Sequence, residues 1–221
     1  LKLGEILELH DSIANIETAL PCLTSLQSLK FGCDSHEPCA RIDPFIQEPL
    51  SISSLYLSTS SLHFQVGEFQ MLKYLKITGF CCPQEFYATR KDGHLGLTSL
   101  SELSIESCLP LSTFPGGGLW ADNLTTLRIS NCNGLISLSK TLPDCFPSLQ
   151  CLSISHCPLF ESFAEDGLPL NLQTLCISSC KNLRHLPVMS RYMSLQLLDI
   201  NGCSRIEVFS AGAPPPNLRK L

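Results

Sequence analysis

One nine-residue phrase, Leu-x-x-Leu-x-Ile-x-x-Cys, constrains the fold of this 221-residue chain more than any other feature. Its complete copies begin at Leu100, Leu124, Leu149, Leu172 and Leu195. Degenerate copies begin at Leu26, Ile52 and Leu72, a worn copy surrounds Leu7 and Leu9, and Leu218 opens another. Such self-similarity indicates one small structural unit that is stacked many times.

The spacing and the alternation of the phrase predict a leucine-rich repeat solenoid. Successive copies begin 20 to 28 residues apart, within the ~20–29-residue period of that repeat. In x-Leu-x-Ile-x the apolar residues alternate, so one face of a strand is buried. The return phrase, Cys-x-x-apolar-x-x-apolar, is broken by Pro and Gly and is too short for a full helix. We expect an α/β-class arc with a parallel β-sheet on its concave face, an irregular or 3₁₀ convex side and little α-helix.

The repeats also predict the domain organisation. Residues 1–221 form a single solenoid fragment of about 8–9 repeats, with a degenerate repeat in 1–25, irregular repeats in 26–99 and regular repeats in 100–221. The chain begins with Leu1 rather than Met, and neither end has the polar composition of a capping repeat. We therefore expect the solenoid to be truncated at both ends.

Five of the 13 cysteines occupy the ninth place of the complete phrases. They are Cys108, Cys132, Cys157, Cys180 and Cys203. Free cysteine is among the most buried residue types, so this register predicts a reduced, inward-facing structural ladder. Neighbouring rungs lie close enough to raise the alternative of cross-linking, but their parallel side-chain directions disfavour it. Reduced thiols are typical of a cytoplasmic protein.

Composition and motifs argue against several classes of function. The net charge is -5 and no apolar stretch reaches the ~18 residues of a membrane span, so we expect no nucleic acid partner and no membrane insertion. The sequence contains no nucleophile elbow, phosphate loop or zinc-protease motif, so we expect no enzymatic activity. Possible ligands at Cys33, His36, Cys39, Cys81 and Cys82 lack a second pair in register, so we expect no metal site. The triple glycine at 116–118 lacks the lysine of a phosphate loop, so no cofactor is expected in this fragment.

The remaining candidate surface is the concave face, where the third, fifth, seventh and eighth places of the phrase point outward. Our partner-binding candidates on it are Lys30, Tyr56, Tyr74, Lys76, Glu102, Glu106, Arg128, Asn131, His156 and Asp199. Tyrosine and arginine give large contact areas at modest entropic cost, so Tyr56, Tyr74 and Arg128, together with Lys76, are the expected anchors. An extended concave array of this kind predicts protein binding.

The repeats resemble those of plant intracellular disease resistance proteins that combine a nucleotide-binding domain with leucine-rich repeats, most nearly the coiled-coil subclass. The similarity is clearest in 165–169, 172–175 and 180–187, the last reading Cys-Lys-Asn-Leu-Arg-His-Leu-Pro. The resemblance implies a domain that senses a pathogen effector or a guarded host protein. It also implies an intramolecular contact that holds an upstream ATP/ADP switch inactive. ADP or ATP would then bind only in that upstream domain.

Two other families remain as alternatives. Substrate-recognition repeats of F-box ubiquitin-ligase adaptors share the Leu-x-x-Leu-x-Leu-x-x-Cys phrase but continue into Ile-Thr-Asp and a helix, which this chain lacks. Extracellular leucine-rich repeat receptors usually carry Leu-x-Gly-x-Ile-Pro and several glycosylation sequons. This chain has one sequon, Asn123-Leu124-Thr125.

Overall fold

A computed structural model describes residues 6–10, 27–32, 52–58, 71–79, 97–109, 111–114, 119–163, 167–206 and 215–219. Nine five-residue strands occupy the third to seventh places of the phrase, and two shorter strands lie in return segments. In chain order the strands are β1 (Ile6–His10), β2 (Ser28–Gly32), β3 (Ser54–Ser58), β4 (Tyr74–Thr78), β5 (Glu102–Glu106), β6 (Thr113–Phe114), β7 (Thr126–Ser130), β8 (Ser137–Leu138), β9 (Cys151–Ser155), β10 (Thr174–Ser178) and β11 (Leu197–Asn201). The predicted strands, including the one in the worn first copy, are therefore present.

The nine five-residue strands form one parallel sheet in the order β1-β2-β3-β4-β5-β7-β9-β10-β11. Each strand pairs with the next copy of the phrase without a shift, so that Leu103 lies opposite Leu127 and Ile105 opposite Ile129. The fourth and sixth places are buried in β3, β4, β5, β7, β9 and β10, while the alternate places are half-buried or exposed. The leucine-rich repeat solenoid predicted from the phrase is confirmed.

Hydrogen bonds between coils begin just before each strand, at the second place of the phrase. The carbonyl oxygen of Ser101 accepts hydrogen bonds from the backbone N–H groups of Thr125 and Thr126, each at 3.0 Å. The Thr125 hydroxyl donates to the same oxygen at 3.0 Å. The backbone pattern recurs from Gln27 through Gln196, where Arg219 donates to the Gln196 carbonyl at 2.7 Å. Each coil is thus fixed to its predecessor before the strand starts.

The eighth place, just after the strand, adopts a left-handed backbone conformation in the six copies of the phrase where the structure describes it. The residues with positive φ are Gly79, Ser107, Asn131, His156, Ser179 and Gly202. Their backbone N–H groups continue the ladder for one more bond in the first five cases, as in His156 N–H to the Ser178 carbonyl at 2.9 Å. A turn of this kind directs the chain away from the sheet and positions the ninth place in the core.

The return segments that the structure describes are extended or tightly turned, as their Pro and Gly content predicts. Strand β6 pairs with β8, and single bridges continue this ladder from Ser137 through Ser162 to His185. The described helices are one α-helical turn, α1 (Leu142–Cys145), and one 3₁₀ turn (Met189–Arg191). Neither approaches the length and apolarity that a membrane-spanning helix needs, in the part of the chain that the structure describes.

Buried phenylalanines fill the space between the sheet and the return segments. Phe114 stacks with Phe146 at a centroid distance of 6.1 Å. Phe160 and Phe163 meet edge to face at 5.1 Å. Aromatic pairs add specific geometry to the stacking of leucines, which by itself is non-directional.

Asparagine side chains provide a second link between coils immediately before three copies of the phrase. Asn123, Asn171 and Asn217 donate side-chain hydrogen bonds to carbonyl oxygens of the preceding coil, at 2.6, 3.1 and 2.7 Å respectively. Asn123 and Thr125 of the single sequon therefore both bond to the preceding coil.

Two glycine substitutions should distinguish a glycine that is needed for space from one that is needed for its backbone conformation. A Cβ atom at Gly134 would overlap the carbonyl oxygen of Leu109, whereas one at Gly79 would meet nothing within 4 Å. Gly134→Ala should therefore lower the free energy of unfolding by about 2 kcal/mol or more. Gly79→Asn should cost less than about 1 kcal/mol, since asparagine tolerates positive φ. Urea unfolding followed by circular dichroism measures both, and equal losses would contradict this account.

Candidate functional site

The outward places of the strands form the open face of the sheet. Residues at the third, fifth and seventh places of β4, β5, β9 and β10 are all half-buried rather than buried. Because the strands pair without a shift, equivalent residues of successive coils stand beside one another. This arrangement turns residues far apart in sequence into rows of side chains on one surface.

Six of the predicted binding residues meet on four consecutive strands of this face. We call Tyr56, Tyr74, Lys76, Glu102, Glu106 and Arg128 the open-face cluster. At one end of the cluster, the rings of Tyr56 and Tyr74 are 5.2 Å apart and tilted by 46°. Tyr74 lies opposite Glu102 in the sheet register. The structure brings these residues together on one surface, and the sequence alone did not show which of them would touch.

Two ion pairs cross the centre of the cluster diagonally from strand to strand. Lys76 on β4 contacts Glu106 on β5, with 2.7 Å between Nζ and Oε2. Arg128 on β7 pairs with Glu102 on β5 through its Nη1 and that residue's Oε1. The side chains remain between about a third and a half exposed (32–49%). Exposed pairs of this kind contribute at most about 1 kcal/mol to stability, so their charges remain available to a partner.

The local environment shifts the titration of Tyr74 and Lys76. Burial, the nearby Tyr56 and the Glu102 carboxylate together raise the pKa of Tyr74. The hydrogen bond to Glu106 raises the pKa of Lys76, so its ammonium stays charged at neutral pH. Tyr74 therefore presents a neutral hydroxyl beside the charged ammonium of Lys76.

A shallow groove of about 540 Å³ opens at the β2–β4 end of the face. Its lining includes Lys30, Tyr56, Ser58, Tyr74, Lys76 and Thr78. The groove joins one predicted residue outside the cluster, Lys30, to the tyrosine pair. Aromatic rings and hydroxyl groups beside ammonium groups can bind a polar side chain and the apolar stem that carries it.

The β9–β11 end of the same face has smaller side chains. Cys151, Ser153, Thr174 and Cys176 are half-buried there, and the exposed Asp199 lies opposite Cys176 in the register. Asp199 is therefore on the predicted surface but several strands from the open-face cluster.

The structure places Asn131 and His156 at the rim of the face rather than on a strand. Each is exposed, follows the last residue of its strand and has φ above 50°. The sequence interpretation treated the eighth place as a continuation of the strand face, whereas the left-handed turn moves it to the edge. A partner that reaches these two residues would have to extend past the ends of β7 and β9.

The cysteines of the ninth place line the opposite, inner side of the coil turn. Cys108, Cys132, Cys157 and Cys180 are buried, and Cys203 is half-buried. Each thiol donates to the carbonyl oxygen two residues earlier, as in Cys157 Sγ to the Ser155 oxygen at 3.3 Å. Cys180 also reaches the Ile154 oxygen of the preceding coil at 3.9 Å. The inward position fits a structural role, and none of the five cysteines forms a disulfide in the structure.

The residues considered above as possible metal ligands or a phosphate loop lie outside the described residues. These positions are Cys33, His36, Cys39, Cys81, Cys82 and the glycines at 116–118. Among the residues that the structure does describe, His, Cys, Asp and Glu form no group of three or more that could hold a metal ion. The charged and aromatic open face is therefore the candidate functional site.

The phrase, the unshifted parallel sheet and the open face define a leucine-rich repeat solenoid, a fold that serves as a scaffold for protein interactions. Over 103 residues the chain is 42% identical to an Arabidopsis thaliana protein named as a disease resistance protein. The match covers 45% of this chain and 7% of the length of that protein. No family model matches the chain.

A solved structure of the leucine-rich repeat domain of the type III effector XopL is also similar. It aligns with a TM-score of 0.48 and 18% identity, over 98% of this chain and 75% of that domain.

The buried thiol of Cys180 should make the free energy of unfolding fall at alkaline pH. Burial raises the pKa of the Cys180 thiol to about 11, above the ~8.5 of an unfolded cysteine. Between these values the unfolded chain has lost a proton that the folded chain keeps, so the free energy of unfolding falls as pH rises. Cys180→Ser keeps a donor but removes this titration, so its urea midpoint should fall less between pH 8 and pH 10.5. If the urea midpoints of the two proteins fell equally over this pH range, Cys180 would not be a source of the pH dependence.

Proposed function

We propose that this chain is the protein-recognition region of a plant disease resistance protein. In this role the open face contacts a pathogen effector or a host protein that the receptor guards. The observation that carries the proposal is the open-face cluster, in which two tyrosines and two ion pairs form one continuous surface across β3, β4, β5 and β7. Tyrosine and arginine are the residue types that most often dominate binding at protein interfaces.

The similarity to the Arabidopsis protein supports the biological setting of this proposal. At 42% identity over 103 residues, the likeness to a protein named as a disease resistance protein goes beyond a shared repeat period. Since the match covers 7% of that protein, the activity of the complete protein is part of the proposal.

The second part of the proposed function is autoinhibition. An upstream domain that exchanges ADP for ATP would be held inactive by contact with the solenoid and released when a partner binds. Binding of this kind acts through a difference in affinity between the two states of the switch. The proposed location is cytoplasmic, where cysteines remain reduced.

The coding sequence upstream of residue 1 distinguishes this proposal from the two alternatives. A phosphate loop of the form G-x-x-x-x-G-K-[ST] followed by this chain would support the receptor. An F-box-like helical segment would favour a ubiquitin-ligase adaptor, and a signal peptide would favour an extracellular receptor.

Substitutions on the open face should remove recognition without unfolding the chain. In the complete protein expressed in leaves, Tyr74→Ala and Arg128→Ala should abolish the cell-death response to the pathogen strains that trigger the unaltered protein. The reason is that truncating one anchor typically weakens an interface at least about tenfold. The response is scored as ion leakage, and protein accumulation is followed by immunoblot.

Lys140→Ala and Arg184→Ala are the matched controls, since both residues are exposed and lie in return segments rather than on the open face. They should leave the response unchanged. Equal behaviour of all four variants at equal protein levels would contradict recognition by the open face. Deleting residues 1–221 should raise the response without any pathogen, and a silent deletion variant would contradict autoinhibition.

A further inference from the structure

Two Asn-Gly dipeptides occur in the chain, at Asn133–Gly134 and at Asn201–Gly202. An asparagine that precedes glycine can deamidate without an enzyme, because glycine has no side chain to hinder attack of its backbone nitrogen on the asparagine side-chain amide. The structure places the two dipeptides in different surroundings. Whether each of them reacts in the folded chain depends on how freely the peptide plane between its two residues can rotate.

Asn133 and Gly134 are the central residues of a β-turn in the return segment after β7. The turn is closed by the Leu135 N–H, which donates to the Cys132 carbonyl oxygen at 3.1 Å. Among the described residues, no hydrogen bond involves the carbonyl of Asn133 or the N–H of Gly134. The central peptide can therefore rotate without breaking a hydrogen bond within the protein.

This rotation leaves the rest of the coil in place. In a β-turn, opposite changes in ψ of the first central residue and φ of the second turn the peptide between them about the line that joins their Cα atoms. The second residue then enters the positive-φ region, which glycine adopts without steric cost. The Leu109 carbonyl oxygen blocks only the position of a Cβ on Gly134, whereas the glycine Cα stays on the rotation axis. The packing that requires glycine at this place therefore still allows the peptide to rotate.

The second dipeptide is held by hydrogen bonds at the end of β11. The carbonyl oxygen of Asn201 accepts the backbone N–H of Ser179 at 2.8 Å, and the Cys203 thiol donates to the same oxygen at 3.6 Å. Rotation of the Asn201–Gly202 peptide would turn this oxygen away from both donors. Both residues of this dipeptide are exposed, whereas Gly134 is half-buried. Exposure alone would thus favour reaction at Asn201, and the hydrogen bonds oppose it.

From this difference we propose that Asn133 is a site of spontaneous deamidation in the folded chain and that Asn201 is protected. The Gly134 nitrogen gives its proton to hydroxide and forms a C–N bond to Cγ of Asn133. The side-chain amide nitrogen leaves as ammonia, with a proton taken from water. Water then opens the succinimide ring. Cleavage between the Gly134 nitrogen and Cγ gives aspartate, and cleavage between that nitrogen and the backbone carbonyl carbon of Asn133 gives isoaspartate.

The isoaspartate product changes the backbone as well as the charge. Its main chain passes through Cβ and Cγ, so the segment between Cys132 and Leu135 becomes one carbon atom longer. Both of these residues are fully buried, and the longer turn cannot keep both in their places in the core. Isoaspartate at position 133 should therefore weaken the contact of this coil with the preceding one, where Gly134 meets Leu109.

Tryptic digestion allows both sites to be followed in one experiment, since they fall in the peptides 129–140 and 192–205. The whole 221-residue chain is incubated in mildly alkaline buffer for several weeks. Tandem mass spectrometry then locates the mass gain that accompanies conversion of an amide to an acid. Asn133 should show this gain at least about threefold faster than Asn201, which is the effect of one hydrogen bond on local opening. In concentrated urea, where neither the turn nor the strand is formed, the two sites should react at nearly equal rates.

Asn133→Gln and Asn201→Gln are the matched variants, because glutamine would have to form a larger ring and reacts slowly. The mass gain in peptide 129–140 should disappear in Asn133→Gln. After the same incubation, the midpoint of urea unfolding should fall in the unaltered chain and in Asn201→Gln, and it should stay constant in Asn133→Gln.

Several results would overturn the proposal. One is a rate at Asn201 equal to or higher than the rate at Asn133 in the folded chain, and another is the absence of any mass gain at Asn133. The same ratio of rates in urea as in buffer would also overturn it, because the neighbouring sequence rather than the fold would then cause the difference. A constant urea midpoint in spite of isoaspartate at position 133 would contradict the effect on coil stacking.

Discussion

The attachment of each coil to its predecessor is the constraint on which the rest of the structure depends. No single coil encloses a core, because a five-residue strand with two buried side chains cannot shield them from water alone. The second-place carbonyl, which accepts two backbone hydrogen bonds from the next coil, fixes the position at which each strand begins. From that point the leucines and isoleucines of neighbouring strands can only meet in register.

The open face follows from the same register. A strand with fixed pairing presents the third, fifth and seventh places of the phrase to solvent, and a one-residue slip would exchange the exposed set for the buried one. Long side chains in adjacent rows can then reach diagonal neighbours, which is how Lys76 meets Glu106 and Arg128 meets Glu102. The chemistry of the face is thus free to vary while the backbone that positions it stays constant.

The period-two alternation was sufficient to predict the strands and their buried places. It was not sufficient for the eighth place, because Ser107 and His156 carry no local signal of positive φ, as glycine does at Gly79 and Gly202. There the ladder hydrogen bond to the next coil accompanies a conformation that the residue type disfavours. The asparagine links were also missed, since a turn asparagine has several possible backbone partners and only the stacked coil shows which one it uses.

The ion-pair partners of individual charges on the open face could not be predicted from the sequence either. Placing Lys76, Glu102, Glu106 and Arg128 on one surface required only the phrase, whereas pairing them required the strand order and the diagonal reach of each side chain. This limit is general for solenoids, because the repeat specifies rows but not contacts within them.

The tyrosine end of the open face and most of the complete phrases occupy different stretches of the chain. The complete phrases, with their buried cysteines, begin at Leu100, and the strands β9 to β11 carry mostly small side chains on the open face. The tyrosines and the groove lie on β2 to β4, where the phrase is degenerate and the ninth-place cysteine is absent. Because interactions in a stacked array are largely between nearest neighbours, regular coils can stabilise their own stretch without dictating the surface of the earlier ones. Exposed ion pairs add little to folding, so the open-face charges of β4 and β5 can change with a partner at small cost to the solenoid.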